Sequence, residues 1–379
     1  MEIKLQAKEL SAKLKMAAKV INQKNSLPIL GDVLLETKND VLLITASDSE
    51  QWLSQKCQTI NYDQEMRFCV NASDFMTAVS NLGDTPITIT LDEQTKTFTC
   101  EYGNGNGKFS MPYEEANEFP LSNIDTEDTK DFIVDGKKVL KAIEFTWFAT
   151  ANDELRPVIN SIHFDFFTDG MVCATTDIHS KLARYKDKTI TSNNENGIVP
   201  NFTLPKKPAS ILMSILSALD GDIKVAFNDK AISINNKDFK LTARLLEEIY
   251  PNYEAVIPKN NPITITVDKV LLLNALKRVL PMTNDISSLV ILDFKQGQVT
   301  ISANNIDYCK SASETVTCDC DSELKIGFNG TVLTEVLKNI NDENVVIELS
   351  EPNKVGVFYY AAELTRDEYL SLCAPILIQ

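Results

Sequence analysis

The chain is short of the residues on which most metal and acid–base chemistry is built. Of 379 residues only two are histidines, His163 and His179, which excludes a multi-histidine metal site. The eight cysteines (57, 69, 100, 173, 309, 318, 320 and 373) contain no C-x-x-C pair, and the closest two, Cys318 and Cys320, are spaced for neither zinc nor a disulfide. They read as reduced, buried thiols. The N-terminus "MEIKLQAKEL" lacks the apolar core and small-residue cleavage site of a secretory signal, so a cytoplasmic protein is expected. No apolar run is long enough to cross a bilayer, and no membrane partner is expected. No motif calls for a cofactor or a metal. Positive charge is scarce too: 37 Lys and Arg face 53 Asp and Glu, for a net charge of −16. That average argues against a nucleic-acid partner unless the basic residues are gathered on one surface.

What is present is an internal repeat. At 379 residues the chain is too long for one ordinary core and suits two or three domains. Three segments read strand then helix: "MEIKLQAKELSAKLKMAAKVI", "DFIVDGKKVLKAIEFTWFATA" and "ITITVDKVLLLNALKRVLPMT". Each is followed by strands ending alike, in "LLITASDSE", "MVCATTDIHS" and "VTISANNIDY", so that Asp48, Asp177 and Asn305 align at offsets of 129 and 128. A second strand and helix then recur in "RFCVNASDFMTAVSNL", "FTLPKKPASILMSILSAL" and "LKIGFNGTVLTEVLKNI". A short alternating strand comes next in every copy, as in "VVIEL". The expected fold is α+β, with three similar domains of two strand-helix-strands modules each, spanning 1–124, 125–254 and 255–379. The segments 117–131 and 250–262, rich in proline, asparagine and acids, are the expected linkers. Pro28 and Pro157 stand at matching junctions, where they are expected to stop a helix before a strand.

The repeat also organises the charge. In the first helix Leu10, Leu14, Ala17 and Ile21 form a core-facing stripe. The six expected helices (8–20, 70–83, 135–150, 205–219, 267–282 and 329–340) carry a net +7, leaving −23 for strands and loops. Lysines decorate exposed helices in many proteins, but six equivalent helices in a repeat would gather theirs on one face. The candidate DNA-binding cations are Lys8, Lys13, Lys15, Lys19, Lys137, Lys138, Lys141, Lys206, Lys207, Lys277 and Arg278. They would hold a duplex through phosphates, with strong salt dependence and no base readout.

Over essentially its whole length the chain resembles the bacterial sliding clamp, the beta subunit of DNA polymerase III. The strings that carry the resemblance are "SLPILGDVLLE", "TTDIHSKL", "EEIYPNYEAVIP", "FNGTVLTEVLKNI" and "ENVVIEL". The resemblance implies a DNA clamp fold: three domains per chain in a head-to-tail homodimer, forming a ring with sheets outside and helices lining the hole. Function would be that of a non-catalytic processivity factor. The partners implied are double-stranded DNA, a second copy, the DNA polymerase III alpha subunit, the clamp loader and other proteins bearing clamp-binding motifs.

The resemblance further implies a partner-peptide groove between the second and third domains, formed by Ile159, Thr176, His179, Lys181, Leu182, Pro251, Val256, Asn329, Val332, Pro375, Ile376 and Ile378. It adds Lys24, at a position where the family usually has arginine, to the DNA-binding set. The chain departs from the family pattern in three places. Ile178 stands where glycine is usual and Ser180 looks inserted; the C-terminus reads "APILI" where flexible methionines are usual; and Pro157 and Val158 replace loop tyrosines. A divergent clamp paralogue with a different partner set is the alternative these departures permit.

Three strings that tempt another reading are accounted for. "GNGNGK", Gly103 to Lys108, lies between strand-like segments and lacks the G-x-x-x-x-G-K-[ST] form of a phosphate loop, so it is expected to be a hairpin turn. Asp177 and His179 could be an acid–base pair for a hydrolase, but no nucleophile elbow or oxyanion site accompanies them. The carboxylates of 125–131 do not follow the EF-hand pattern and read as a solvated linker.

Overall fold

Six helices form where the periodicity places them: α1 (Ala7–Ala18), α2 (Ala72–Ser80), α3 (Gly136–Thr146), α4 (Lys206–Ala218), α5 (Lys269–Val279) and α6 (Gly330–Lys338). The computed structural model describes residues 2–378 other than 23, 26, 39, 63, 123–128, 168–169 and 191–200. The acidic string 125–131 and the first linker therefore lie partly outside the described residues.

Helix starts are set by side-chain caps in four cases; at α3, Asp135 Oδ1 accepts from the Lys137 amide at 2.9 Å. Asn71 Oδ1 accepts from the Asp74 amide at 3.1 Å, Asp268 Oδ1 from Leu271 at 2.8 Å, and Asn329 Oδ1 from both Thr331 and Val332 at 3.0 and 3.1 Å. Helix ends depart from the sequence reading. α1 stops at Ala18, so its buried stripe is Leu10, Leu14 and Ala17, and the next buried residue is Val20 and not Ile21. Once the chain leaves the helical path, a 100° step per residue no longer predicts the inward face. α5 gives way to a short 3-10 turn, Leu280–Met282, in which Pro281 offers no N–H to continue the ladder.

Pro28 and Pro157 do not stop a helix, because α1 has already ended ten residues before Pro28. Each proline instead opens a 3-10 turn, Pro28–Gly31 and Pro157–Asn160, that delivers the chain into the strands Asp32–Lys38 and Ser161–Phe167. The first position of such a turn has no use for an N–H, and the fixed φ of proline suits it.

Every third of the chain runs strand, helix, three strands, strand, helix, three strands, giving a three-domain α+β fold. The strands assemble into two sheets of thirteen. Contacts divide the chain into two compact units, one of Met1–Leu140 with Lys207–Glu247 and one of Lys141–Lys206 with Glu248–Gln379, so the middle third contributes half of itself to each. Within the first unit, Phe239–Arg244 pairs antiparallel with Gln51–Tyr62, joining Leu241 to Leu53. Within the second, Lys181–Asp187 pairs with Tyr369–Cys373, joining Lys181 to Cys373 and Tyr185 to Tyr369.

Aromatic packing reinforces this second junction. Phe145 of α3 meets Tyr185 edge-on at 5.1 Å and Tyr369 at 5.6 Å, while Tyr360 and Tyr369 cross at 88°. Each such pair contributes about 0.5–1.5 kcal/mol beyond its buried area. "GNGNGK" is a hairpin turn between Thr97–Tyr102 and Gly107–Pro112, with Gly103, Asn104 and Gly105 all at positive φ.

One buried charge opposes the fold. Asp32 is 8% exposed, and among the described residues its carboxylate has no hydrogen-bond or ion-pair partner. Burial, with Glu114 nearby, pushes its carboxyl up to about 6. The folded state thus holds a proton that the unfolded chain releases near 3.8, and stability falls as pH rises between these two values. Asp32→Asn is expected to raise stability in urea at pH 8 by about 1–2 kcal/mol, with the gain shrinking toward pH 4; equal gains at both pH values would contradict this.

Candidate nucleic-acid interface and partner groove

The basic residues fall into two groups. Several of their charges are spent inside the protein. Lys207 donates from Nζ to the Val20 carbonyl and to Asp48 Oδ2, both at 2.6 Å. Lys206 donates to the Ala151 carbonyl and to Asn152 Oδ1 at 3.2 and 2.7 Å, and lies over the Trp147 ring. Its pKa is lowered by burial and by Lys181. Lys137 caps the end of α4 through the Leu216 carbonyl and pairs with Asp220 at 3.2 Å. Lys19 donates to Ser214 Oγ at 2.8 Å, Lys141 lies over Phe145 and Tyr185, and Lys138 is half-buried and engaged.

Arg278 makes a two-point contact with Glu314 at 2.5 and 2.7 Å. Lys8 reaches Asp84 only at 3.5 Å with both side chains well exposed, a pairing worth little. That leaves Lys13, Lys15, Lys24 and Lys277, whose ammonium groups have no hydrogen bond or ion pair among the described residues; all but the half-buried Lys13 are exposed. Spacing could not separate the two groups, because nothing local records which carbonyl or carboxylate folds against a given lysine.

The aligned polar positions of the three repeats turn out to be turn caps. Asp48 Oδ1 accepts from the Glu50 and Gln51 amides at 3.1 and 3.0 Å. Asp177 Oδ1 accepts from His179, Ser180 and Lys181 at 3.1, 2.8 and 2.9 Å, while Ser180 Oγ donates to its other oxygen. Asn305 Oδ1 accepts from the Tyr308 amide at 3.4 Å. A side chain that mimics a backbone turn is what the recurring Asp or Asn supplies. Asp177 is therefore occupied by backbone, and exposed His179 has its Nε2 3.2 Å from Arg156, an arrangement with no general base poised over a nucleophile.

The twelve groove candidates all belong to the second unit. The turn 176–181 is fastened on one side by Tyr250, whose hydroxyl accepts from the Thr176 amide at 3.1 Å, and on the other by Lys181 Nζ, which reaches Glu335 of α6 at 2.5 Å. The Ala374 amide donates to the Ser180 carbonyl at 2.8 Å, bringing the C-terminal segment to the same turn. From there Pro375–Ile376 adds itself as a strand beside Leu324–Asn329, with Ile376 opposite Gly327. A Cβ at Gly327 would come within 2.7 Å of the Ile376 carbonyl and 3.1 Å of Ile378, so only glycine admits this close approach.

Of the groove candidates, Ile159, Thr176 and Leu182 are buried. His179 and Val256 are exposed, and Lys181, Pro251, Asn329, Val332, Pro375, Ile376 and Ile378 are partly so. Sequence reasoning missed Glu335, Tyr250 and Leu377. Glu335 lies one turn beyond Thr331 on the helix that Asn329 caps, a signal available once the helix was placed. Exposed Leu377 sits between two named isoleucine positions, just past the strand Pro375–Ile376; Tyr250 carried no local signal.

Three family models described as the N-terminal, central and C-terminal domains of DNA polymerase III beta subunit match residues 1–125, 133–252 and 254–363. The chain belongs to the DNA polymerase III beta-subunit family. It is a DNA sliding clamp, a non-catalytic accessory subunit. Among relatives, the beta sliding clamp of Pseudomonas putida is 26% identical over 363 residues, covering 95% of this chain and 96% of that one. That of Haemophilus influenzae is 26% identical over 357 residues, covering 93% of each. The crystal structure of the DNA polymerase III subunit beta from Pseudomonas aeruginosa matches the fold with a TM-score of 0.91 at 24% identity, and that from Thermotoga maritima with 0.89 at 22%, each over 100% of both chains. DNA, a second copy of the chain and clamp-binding proteins are the partners of such a clamp. No described helix is long and apolar enough to cross a membrane, and no described cluster could hold a metal ion.

The turn 176–181 contains a strained residue. Ile178 adopts φ +69°, a left-handed conformation in which a β-branched side chain is disfavoured, and it is held there by the Asp177 cap and by Thr176 Oγ1, which accepts from the Ile178 amide at 2.9 Å. The chain thus keeps the backbone path that glycine would take, despite having isoleucine. Ile178→Gly is expected to raise stability by up to about 1 kcal/mol, read as the urea midpoint at constant m-value. A loss of more than that amount would show that the half-exposed isoleucine packs usefully.

Proposed function

We propose that two copies close head to tail into a ring around duplex DNA and tether the DNA polymerase III alpha subunit, the clamp loader and other motif-bearing proteins through the groove. The domains are 1–124, 125–254 and 255–379, and the protein acts in the cytoplasm. The observation that carries this reading is a pair of unfilled sheet edges in the first and last thirds. Among the described residues, Gly107–Pro112 is the last strand of its sheet and pairs only with Thr97–Tyr102. Lys310–Asp319 pairs along its length with Gln298–Asn305, but on its other side meets Ile263–Asp268 only at Cys318 and Asp319. Open edges invite a partner strand, and two complementary edges per chain give a heterologous contact that closes when two copies meet. Val270 and Leu271 of α5, both about half exposed, add apolar surface to the last third.

Helices that carry the positive charge would face the duplex. Retention then comes from enclosure, and weak phosphate contacts permit sliding. Lys13, Lys15, Lys24 and Lys277 are the favoured contacts because their charges are free. The peptide groove uses the turn 176–181, Pro251, Val256, α6 and the strand Pro375–Ile376. Ile376 and Ile378 are stiffer than methionine, which favours a narrower range of peptide side chains.

Two measurements test the proposal. Protein loaded onto nicked circular DNA should remain bound far longer than on linear DNA of equal length, and equal escape rates would defeat the ring. Lys15→Glu with Lys24→Glu should weaken DNA association and flatten its log–log salt dependence by about one unit per residue. Lys206→Ala should leave that slope nearly unchanged; the reverse pattern would assign the contacts wrongly.

A further inference from the structure

The segment that carries Pro251 and Val256 is fixed by a connected polar network, while its counterpart in the first third is fixed mainly by apolar packing, with one hydrogen bond from Trp52 Nε1 to the Pro120 carbonyl at 2.8 Å. In the first third, Phe119 packs with Leu34, Cys69 and Ala116. By the 129-residue repeat Leu34 corresponds to His163. Their cross-strand partners correspond as well, since Leu34 pairs with Cys69 and His163 with Thr203. The string Phe119-Pro120 likewise matches Tyr250-Pro251. An apolar set helped by a single hydrogen bond therefore anchors the linker at this place in the first third. In the middle third Leu34, Cys69 and Phe119 are answered by the polar His163, Thr203 and Tyr250.

The replacement is fully connected. His163 stacks on Tyr250 with ring centroids 4.6 Å apart and planes within 6°. Its Nδ1 lies 2.9 Å from Thr203 Oγ1 and its Nε2 3.2 Å from Asp165 Oδ1. Both ring nitrogens are thereby engaged, Nε2 with the carboxylate and Nδ1 with the threonine hydroxyl. Asp165 Oδ2 accepts from the Tyr253 hydroxyl at 2.7 Å. Burial alone would raise the Asp165 pKa, but the hydrogen bond and electrostatic attraction of His163, with the donation from Tyr253, bring it below its ordinary value. Both tyrosines are more than nine-tenths buried. Tyr250 passes the restraint on, because its hydroxyl accepts from the Thr176 amide, the first residue of the groove turn.

Directional bonds do what the apolar set cannot. Apolar packing fixes a segment against sliding away but tolerates rotation and small shifts, whereas a buried, satisfied hydrogen-bond network penalises them. Pro251 lies between the two anchored tyrosines, and Val256 closes the 3-10 turn that Tyr253 opens. We propose that His163 and Asp165 are positioning residues: a latch that holds the linker wall of the peptide groove in register with the turn 176–181 and thereby sets peptide affinity. This inference rests on the groove reading given above.

The test borrows the protein's own alternative. His163→Leu with Thr203→Cys installs the pair found at the equivalent place in the first third, where both residues are buried. Tyr253→Phe removes a single oxygen and keeps the ring. Binding of a labelled peptide bearing the clamp-binding motif of a DNA polymerase III alpha subunit is measured by fluorescence polarisation, beside the mass in solution and the urea midpoint. The expected result is a five- to tenfold weaker peptide complex in each variant, with unchanged mass and with stability no lower than that of Tyr253→Phe. Adding Tyr253→Phe to the double variant should weaken binding little further, since the latch is already open. Unaltered peptide affinity in the variants overturns the latch, as does a loss of affinity that merely tracks loss of stability across the series. Failure of the unaltered protein to bind the peptide overturns the groove reading and the latch together, so the two failures are told apart.

Discussion

Strand pairing that continues across the repeat boundaries is the constraint from which the rest of this structure follows. A four-stranded half-module leaves an edge whose N–H and C=O groups need partners. Here Phe239–Arg244 supplies them to the first third and Tyr369–Cys373 to the middle third. The middle third therefore shares a sheet with each neighbour, and compactness divides the chain through that third and not between thirds. A repeat built in this way leaves unfilled edges at the far ends of the series, one in Gly107–Pro112 and one in Lys310–Asp319.

Polar groups have been given local duties wherever the chain turns sharply. Asp48, Asp177 and Asn305 cap their turns, and Asn71, Asp268 and Asn329 cap helices. Asp177, weighed from the sequence as half of an acid–base pair, is thereby occupied by backbone amides. The same economy applies to cations. Lys137, Lys206 and Lys207 satisfy carbonyls at the ends of elements, which removes them from the charge available to a partner. A net positive set of helices is thus a weaker electrostatic surface than its residue count suggests.

Much of the architecture was legible because it depends on short-range pattern. The three strand-helix starts, the Asx positions spaced by 129 and 128, and the hairpin at Gly103 to Lys108 all express periods or turn chemistry contained within a few residues. The errors lay where a local rule lost to context. Ile21 matches the helical stripe of α1, yet the helix ends before it. Pro28 and Pro157 read as helix terminators but serve as first residues of 3-10 turns. Ile178 stands where glycine is usual, and the Asp177 cap compels it into glycine's conformation regardless.

By itself the sequence determined the threefold plan, the helix faces and the turn caps, since each is written in residues that touch near neighbours along the chain. Tertiary structure alone decided which lysines keep a free charge, that Glu335 answers Lys181 across 154 positions, and that His163 and Asp165 grip Tyr250 and Tyr253 nearly ninety positions away. Those outcomes depend on distances closed by folding, where a hydrogen bond or an ion pair is settled within about 3 Å and no periodicity along the chain encodes the partner.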